Sequence, residues 1–255
     1  MGPIKFPYRH QYFPRNGLGR DIVVGDIHGE FAALESALQA IRFNESHDRL
    51  FALGDLVDRG PDSMEAVQWL KKPWFHSVLG NHEAHHLVCH NHKTLPGESQ
   101  RFFISGDDLW IWDVAESEYA LLAESLTRLP IAITVETALG DVGMVHADLP
   151  EGFATWKAFT DHLDYGQLDS ELLYQALWNF KQTAHSTTGE SRGPSTIPDL
   201  TALFQGHSVP AAFKPLSVGN RHWIETGAFL RRTIRRGGFT LVDIASPTAP
   251  LLSAY

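Results

Sequence analysis

Three short segments carry side chains able to do chemistry, and they share one layout. Residues 25–29 read GDIHG, residues 54–60 read GDLVDRG and residues 80–83 read GNHE, each directly after an apolar run. They present Asp26 and His28, then Asp55 and Asp58, then Asn81 and His82. Two later apolar runs end on His146 and His207. Carboxylates, an amide oxygen and imidazoles, without a thiolate, suit Mn, Fe or Zn and do not suit a soft metal. One carboxylate, Asp55, is placed to bridge two ions. Each segment also has an ordinary reading. Asp and Gly favour tight turns, and GNHE could be a helix start capped by Asn81. For all five segments, separate turn explanations would each have to hold, in order, with ligand residue types recurring every time.

The elements that must position these residues are legible from the apolar pattern. Asp21–Val24 is a short strand running into GDIHG, and Phe31, Leu34, Leu38 and Ile41 repeat at helical spacing. Arg49–Leu53 is a second strand, followed by a helix over Met64–Leu70; Phe75–Leu79 is a third, followed by a helix after GNHE. Strand, polar loop and helix recurring three times predict βαβ units with right-handed crossovers. In parallel sheets the loops at the carboxyl ends of strands converge on one crevice. Further on, Glu116–Leu129 reads as a helix and Ile131–Ala138 and Asp141–Val145 as strands joined at Gly140. Leu172–Trp178 reads as a helix, Thr183–Pro198 as a loop, and the remainder as strand-like with Gly breaks. Residues 1–20 read as an irregular or hairpin-like lead-in. With no internal repeat or long linker, residues 1–255 are expected to form one domain.

Composition excludes several classes. The 255 residues are 43% hydrophobic and 20% charged, ordinary globular values. A net charge of −9 argues against nucleic acid as a general partner. The single cysteine, Cys89, excludes an intramolecular disulfide framework and a cysteine metal cluster. Without a signal-peptide pattern or a run of 18 apolar residues, a soluble cytoplasmic protein without membrane contact is expected.

The ordered set GDIHG, GDLVDRG, GNHE, His146-Ala and Gly-His207 resembles the phosphoprotein phosphatase family of calcineurin-like metallophosphoesterases, most closely its bacteriophage lambda-type branch. The likeness extends to PWFHSVLGNHE, MVHADLP, the Leu177–Asn179 triplet and the GHS…IETGA ending. It implies an α/β fold (α+β by some schemes): a four-layer α/β/β/α sandwich of two mixed sheets with the site at the strand carboxyl ends. It implies two divalent ions, Mn2+ first and Fe, Zn, Ni or Mg as alternatives, with a hydroxide bridging them as nucleophile. By the same resemblance Asp26, His28 and Asp55 hold one ion, while Asp55, Asn81, His146 and His207 hold the other. His82 is the implied general acid, oriented by Asp58, and Arg59 the implied phosphate ligand, with Asn81 also beside the phosphate. Glu83 is expected to support the site or the helix start. The family uses a second phosphate-binding arginine, which in the lambda branch directly follows the Trp-Asn pair; here that position is Phe180. Lys181 and Arg192 are the candidates, with Arg192 favoured.

Other features have plainer readings. His85, His86, His90 and His92 are expected on a partly exposed helix and loop rather than in an extra metal site. Arg231, Arg232, Arg235 and Arg236 fit a solvated hairpin better than an acidic-substrate patch. Trp110 and Trp112 fit core packing better than a substrate groove, and Cys89 needs no redox role. The expected activity is hydrolysis of phosphoserine or phosphothreonine in proteins, on a phosphorylated protein or small phosphoester. The alternative is hydrolysis of diadenosine tetraphosphate and related dinucleotides. GNHE rather than GNHD, and Asp58 where the dinucleotide-cleaving branch often has Ala, favour the first. A binding protein that has lost catalysis would lack a ligand or the acid, and none is lacking.

Overall fold

The computed structural model describes residues 9–92, 109–179, 195–210 and 212–253. Two mixed sheets make its centre. The five-stranded sheet contains β2 (Asp21–Val24), β3 (Arg49–Ala52) and β4 (Phe75–Ser77), which run parallel, with β10 (Thr240–Asp243) antiparallel to β2 and β11 (Pro250–Ser253) at the edge. The six-stranded sheet has the order β1 (His10–Phe13), β5 (Ala132–Thr137), β6 (Gly140–Val145), β7 (Ala202–Gln205), β9 (Arg221–Trp223), β8 (Leu216–Val218). Within it β6, β7 and β9 are mutually parallel.

The central strands β2 and β7 are buried along their whole length, as strands covered on both faces are. Alternation along the strands sorts residues between two cores. Val23 and Phe51 point inward with Ile133, Val142, Met144 and Phe204 of the other sheet. Their neighbours Ile22, Val24, Leu50 and Ala52 join the outer cluster with Phe31, Leu34 and Leu38 of α1 (Phe31–Ala40) and with Val67 and Trp69 of α2 (Ala66–Trp69). On the far side Trp156, Phe159 and Leu163 of α5 (Trp156–Tyr165) sit in the cluster with Ala132, Val145 and Leu203. The layers are therefore α/β/β/α, as the family resemblance implies. Between these helices in sequence come α3 (Asn81–His92) and α4 (Glu116–Leu126); α6 (Ser170–Trp178) follows α5, and α7 (Arg231–Ile234) precedes β10.

Three local differences from the sequence expectation have physical causes. The lead-in is not wholly irregular: His10–Phe13 pairs in parallel with β5, and Nε2 of His10 lies 2.8 Å from the Thr134 hydroxyl across that pair. Helix α5 was not anticipated, although Trp156, Phe159 and Leu163 repeat on one face and the Thr155 hydroxyl accepts from the Ala158 N–H at its start. The arginine-rich segment is not a hairpin. It is a short helical turn, Ala228–Leu230 continuing into α7, stopped by Arg235 in the left-handed region at φ 55°. Among the described residues no helix is long and apolar enough to cross a membrane.

Candidate metal centre and active site

Six strand ends meet at one edge of the sandwich. The parallel strands β2, β3 and β4 deliver Asp26 with His28, Asp55 with Asp58, and Asn81 with His82. The parallel strands β6, β7 and β9 deliver His146, His207 and Glu225. The two groups touch: Oδ1 of Asn81 lies 2.8 Å from Nε2 of His146 and 3.0 Å from Nδ1 of His207. Nε2 of His28 is 3.5 Å from Oδ2 of Asp55, and Nε2 of His146 is 3.5 Å from Oδ1 of the same carboxylate. Asp55 thus faces both groups. Asp26 adjoins through Oδ2, 3.9 Å from Nε2 of His28, and accepts the His207 backbone N–H at 3.0 Å.

The backbone is bent to achieve this. Eight non-glycine residues among those described have positive φ, and five of them are His28, Asp55, Asp58, Arg59 and His207. Such conformations cost about 1–3 kcal/mol each and persist where surrounding bonds over-determine them. Glu83 supplies much of that determination. Its buried carboxylate accepts the N–H groups of Asp55 and Gly80 at one oxygen, at 2.8 and 2.9 Å, and those of Leu56 and Val57 at the other, at 2.7 and 3.3 Å. Gly80 has to be glycine here, because a Cβ would lie 2.2 Å from Oδ1 of Asp55 and 2.6 Å from Oε2 of Glu83. Glu225 plays a similar part beyond β9, accepting from the N–H of Asp26 at 2.9 Å and of Gly227 at 2.6 Å.

The donor set fits divalent cations. His28 sets Nδ1 on the Val57 carbonyl (3.0 Å) and His146 sets Nδ1 on the Leu53 carbonyl (2.6 Å), so each turns its Nε2 lone pair into the site. Nε2 of His146 and Oδ1 of Asn81, two acceptors, approach the same point, as a shared cation would draw them. Burial lowers the pKa of His28 and His146 and pushes His207 down to about 3, which keeps all three imidazoles neutral and ligand-ready. Burial, with Glu225 and Asp55 nearby, raises the pKa of Asp26 well above the usual carboxylate range. Burial likewise pushes Glu225 up to about 7. This concentration of buried carboxyl groups is what a bound cation relieves. Two clusters could hold an ion, His28–Asp55–His82 and Asp55–His146–His207, with Asp55 common to both.

His82 belongs geometrically to the first cluster, but its electrostatics set it apart. Burial pushes its pKa down, yet the Asp55 charge and the 2.7 Å bond from Nδ1 to Oδ2 of Asp58 outweigh it, so the net shift is upward. His82 is held as a proton donor while its three neighbours are held as lone-pair donors. Asp58 resists its own desolvation because His86 and His82 stabilise the anion, so its pKa lies below the carboxylate range. The other oxygen of Asp58 receives Nε2 of His86 at 2.9 Å and the indole N–H of Trp110 at 2.7 Å, while its backbone N–H donates to the Ser63 hydroxyl at 2.9 Å.

His86 and Trp110 are therefore not spectators. His86 is fully buried rather than on a partly exposed face, and it follows His82 by one helical turn of α3, where i,i+4 residues share a face. That spacing was the available signal for His86. For Trp110 there was none, because its contact with Asp58 spans 52 residues. Among the described residues, no cluster of His85, His86 and His90 is arranged to hold an ion. Arg59 extends an Nη1 to within 2.7 Å of Nε2 of His28 and lies with its guanidinium 4.4 Å from the Phe229 ring centroid. Phe180, Lys181 and Arg192 lie outside the described residues.

A two-sheet sandwich with Asp, Asn and His converging from parallel strand ends defines a metallophosphoesterase. The chain belongs to the calcineurin-like phosphoesterase family, whose profile matches residues 20–210, and it is a hydrolytic enzyme. It is 30% identical over 210 residues to serine/threonine-protein phosphatase 1 of Salmonella typhimurium, covering 81% of this chain and 85% of that one. It is 37% identical over 131 residues to serine/threonine-protein phosphatase 2 of Escherichia coli; there the match takes in half of this chain and 58% of the relative's length. It is also 32% identical over 184 residues to a symmetrical bis(5'-nucleosyl)-tetraphosphatase of Shewanella, covering 68% of this chain and 60% of the relative. Among solved structures, one whose own description gives diadenosine tetraphosphatase as a provisional assignment superposes with a TM-score of 0.62 at 24% identity, over 95% of this chain and 98% of that one. That likeness is one of fold.

Proposed function

We propose that this phosphoesterase removes phosphate from serine and threonine side chains of proteins, using two divalent ions, Mn2+ first. Asp26, His28 and Asp55 would hold one ion; Asp55, Asn81, His146 and His207 would hold the other. Bound there, the pair supplies a hydroxide nucleophile near neutral pH and neutralises the phosphoryl oxygens. The chain's own residues do the rest. Arg59 offers a planar fork to two phosphate oxygens. Asn81 places its amide beside the same phosphate. His82 delivers a proton from Nε2 to the departing oxygen, while Asp58 on Nδ1 fixes the ring and favours its charged form.

The observation that carries this reading is the His82–Asp58 bond of 2.7 Å, with Asp58 itself held by His86 and Trp110. A serine alkoxide is a poor leaving group and needs a proton, whereas a polyphosphate leaves readily without one. A site that devotes a buried carboxylate and two further nitrogen donors, His86 and Trp110, to one acid is built for the poor leaving group. The second reading, cleavage of dinucleoside polyphosphates, is favoured by the tetraphosphatase relatives and draws on the same ligands.

A panel of a phosphoserine peptide, diadenosine tetraphosphate and para-nitrophenyl phosphate, with Mn-loaded enzyme, tests the choice. The peptide is expected to have the highest kcat/KM. His82→Asn is expected to lower turnover of the peptide by about 10²–10⁴-fold while the aryl ester suffers far less. Preferential cleavage of the dinucleotide by the wild type, or full peptide turnover by the variant, contradicts the proposal.

A further inference from the structure

One charged feature remains outside the chemistry described so far. Between Thr226 and Gly238 the chain makes a closed loop: the Thr226 hydroxyl donates to the Gly238 carbonyl at 2.6 Å and the Gly238 N–H to the Thr226 carbonyl at 3.2 Å. The loop leaves directly from Glu225, which holds the Asp26 backbone. It carries Arg231, Arg232, Arg235 and Arg236, all exposed, in a chain whose net charge is −9.

The loop is seated on the rim of the active site at three points. The Phe229 ring packs edge-on against His28 at 4.8 Å between centroids and under the Arg59 guanidinium at 4.4 Å. Arg232 donates to Glu30, the residue after GDIHG, at 2.6 Å. Arg236 lies 5.7 Å from the Phe213 ring, in the loop that follows His207. So the loop spans from the His28 side of the site to the His207 side. Arg232 and Arg236 are used in seating it. Arg231 and Arg235 are not: among the described residues neither has a carboxylate within ion-pair distance. Arg235 ends α7 in the left-handed region, a conformation that a bulky residue adopts rarely.

We propose that Arg231 and Arg235 form a subsite for carboxylate side chains of the substrate, so that the enzyme prefers phosphopeptides with acidic residues next to the phosphorylated one. The assignment rests on the phosphoprotein reading above and adds a sequence preference to it. Arginine suits the task because its fork matches a carboxylate bidentately and stays charged at any working pH. Two arginines with no carboxylate partner among the described residues, on a loop seated against His28 and Arg59, also raise the local concentration of anionic partners that a net charge of −9 otherwise repels.

The test uses two phosphoserine peptides, identical except that Asp residues flank the phosphoserine in one and Ala in the other, with para-nitrophenyl phosphate as a third substrate. The wild type is expected to favour the acidic peptide, and less so as salt rises. The double variant R231A/R235A is expected to lose about three- to tenfold in kcat/KM on the acidic peptide, mainly through KM, because exposed ion pairs are individually weak and act equally on bound and reacting substrate. Its turnover of the Ala peptide and the aryl phosphate stays within about twofold, which also reports an intact fold. R231E/R235E is expected to reverse the preference. Equal losses on both peptides, or none on either, overturn the proposal while leaving the phosphoprotein reading standing. Failure of the wild type to cleave either peptide, with dinucleotide cleavage intact, sinks both.

Discussion

Glu83→Gln changes one atom type in a carboxylate that ties the GDLVDRG and GNHE loops together, and its cost follows from four bonds. One oxygen accepts from Asp55 and Gly80, the other from Leu56 and Val57. An amide keeps one acceptor oxygen, so it can serve one pair; its NH2 group then faces the other two N–H donors. Bonds to a charged acceptor contribute about 1.5–3 kcal/mol each, and the 3.3 Å Val57 bond is the weakest of the four. Losing one pair and neutralising the other should destabilise the protein by about 3–5 kcal/mol. At roughly 2–4 °C per kcal/mol for a chain of this size, the melting point drops by roughly 6–20 °C. Burial, with Asp55 nearby, pushes the Glu83 pKa up to about 8. The four converging N–H groups favour the anion. Urea unfolding of metal-free protein at about pH 9, above that pKa so that the carboxyl is ionised, is the assay, with the exposed Glu65→Gln expected within about 0.5 kcal/mol of wild type as control. A loss below about 1 kcal/mol for Glu83→Gln under those conditions would mean that the loops are held by something else.

Two further outcomes follow from the same structure. Removing a donor from Asp58 by His86→Ala or Trp110→Phe is expected to cut phosphoserine turnover about 10–100-fold, as loss of an outer partner does in other metal sites, while para-nitrophenyl phosphate changes little; equal losses on both would assign these residues to packing alone. Burial pushes His222, which lies 2.8 Å from the Ser217 hydroxyl, down to about 4. Its folded pKa is below the unfolded one near 6.5, so its neutral form contributes stability that is complete above pH 6.5 and is lost as pH falls towards 4. The loss should reach about 2–3 kcal/mol by pH ~4.5, and His222→Gln should flatten that part of the unfolding-versus-pH curve.

Much of the site was legible because strand ends announce themselves. Each apolar run is short, stops at Gly-Asp, Gly-Asn or a His, and so fixes both the direction of the strand and the position of its ligand. Residues acting across the sandwich were harder to see. Glu225 follows a strand end like the others, but three-residue β9 is too short to advertise itself by pattern. His86 was hidden in a run of histidines whose average polarity suggests solvent, when the two at 82 and 86 share the face that meets Asp58. Trp110 meets Asp58 across 52 residues of sequence, a contact that no local signal encodes. The arginine segment misled for a different reason: its charge spacing fits a hairpin, but packing of Phe229 against His28 favours a helical turn.

The central claim is that Asp26, His28, Asp55, Asn81, His146 and His207 hold two ions, with Asp55 shared. Elemental analysis of Mn-equilibrated, gel-filtered protein, read beside the electron paramagnetic resonance spectrum, tests it directly. The wild type is expected to retain two Mn2+ per chain with a spin-coupled spectrum, His146→Asn to retain one uncoupled ion, and Asp55→Asn to weaken both. A single ion in the wild type, or two coupled ions surviving in Asp55→Asn, would contradict the account.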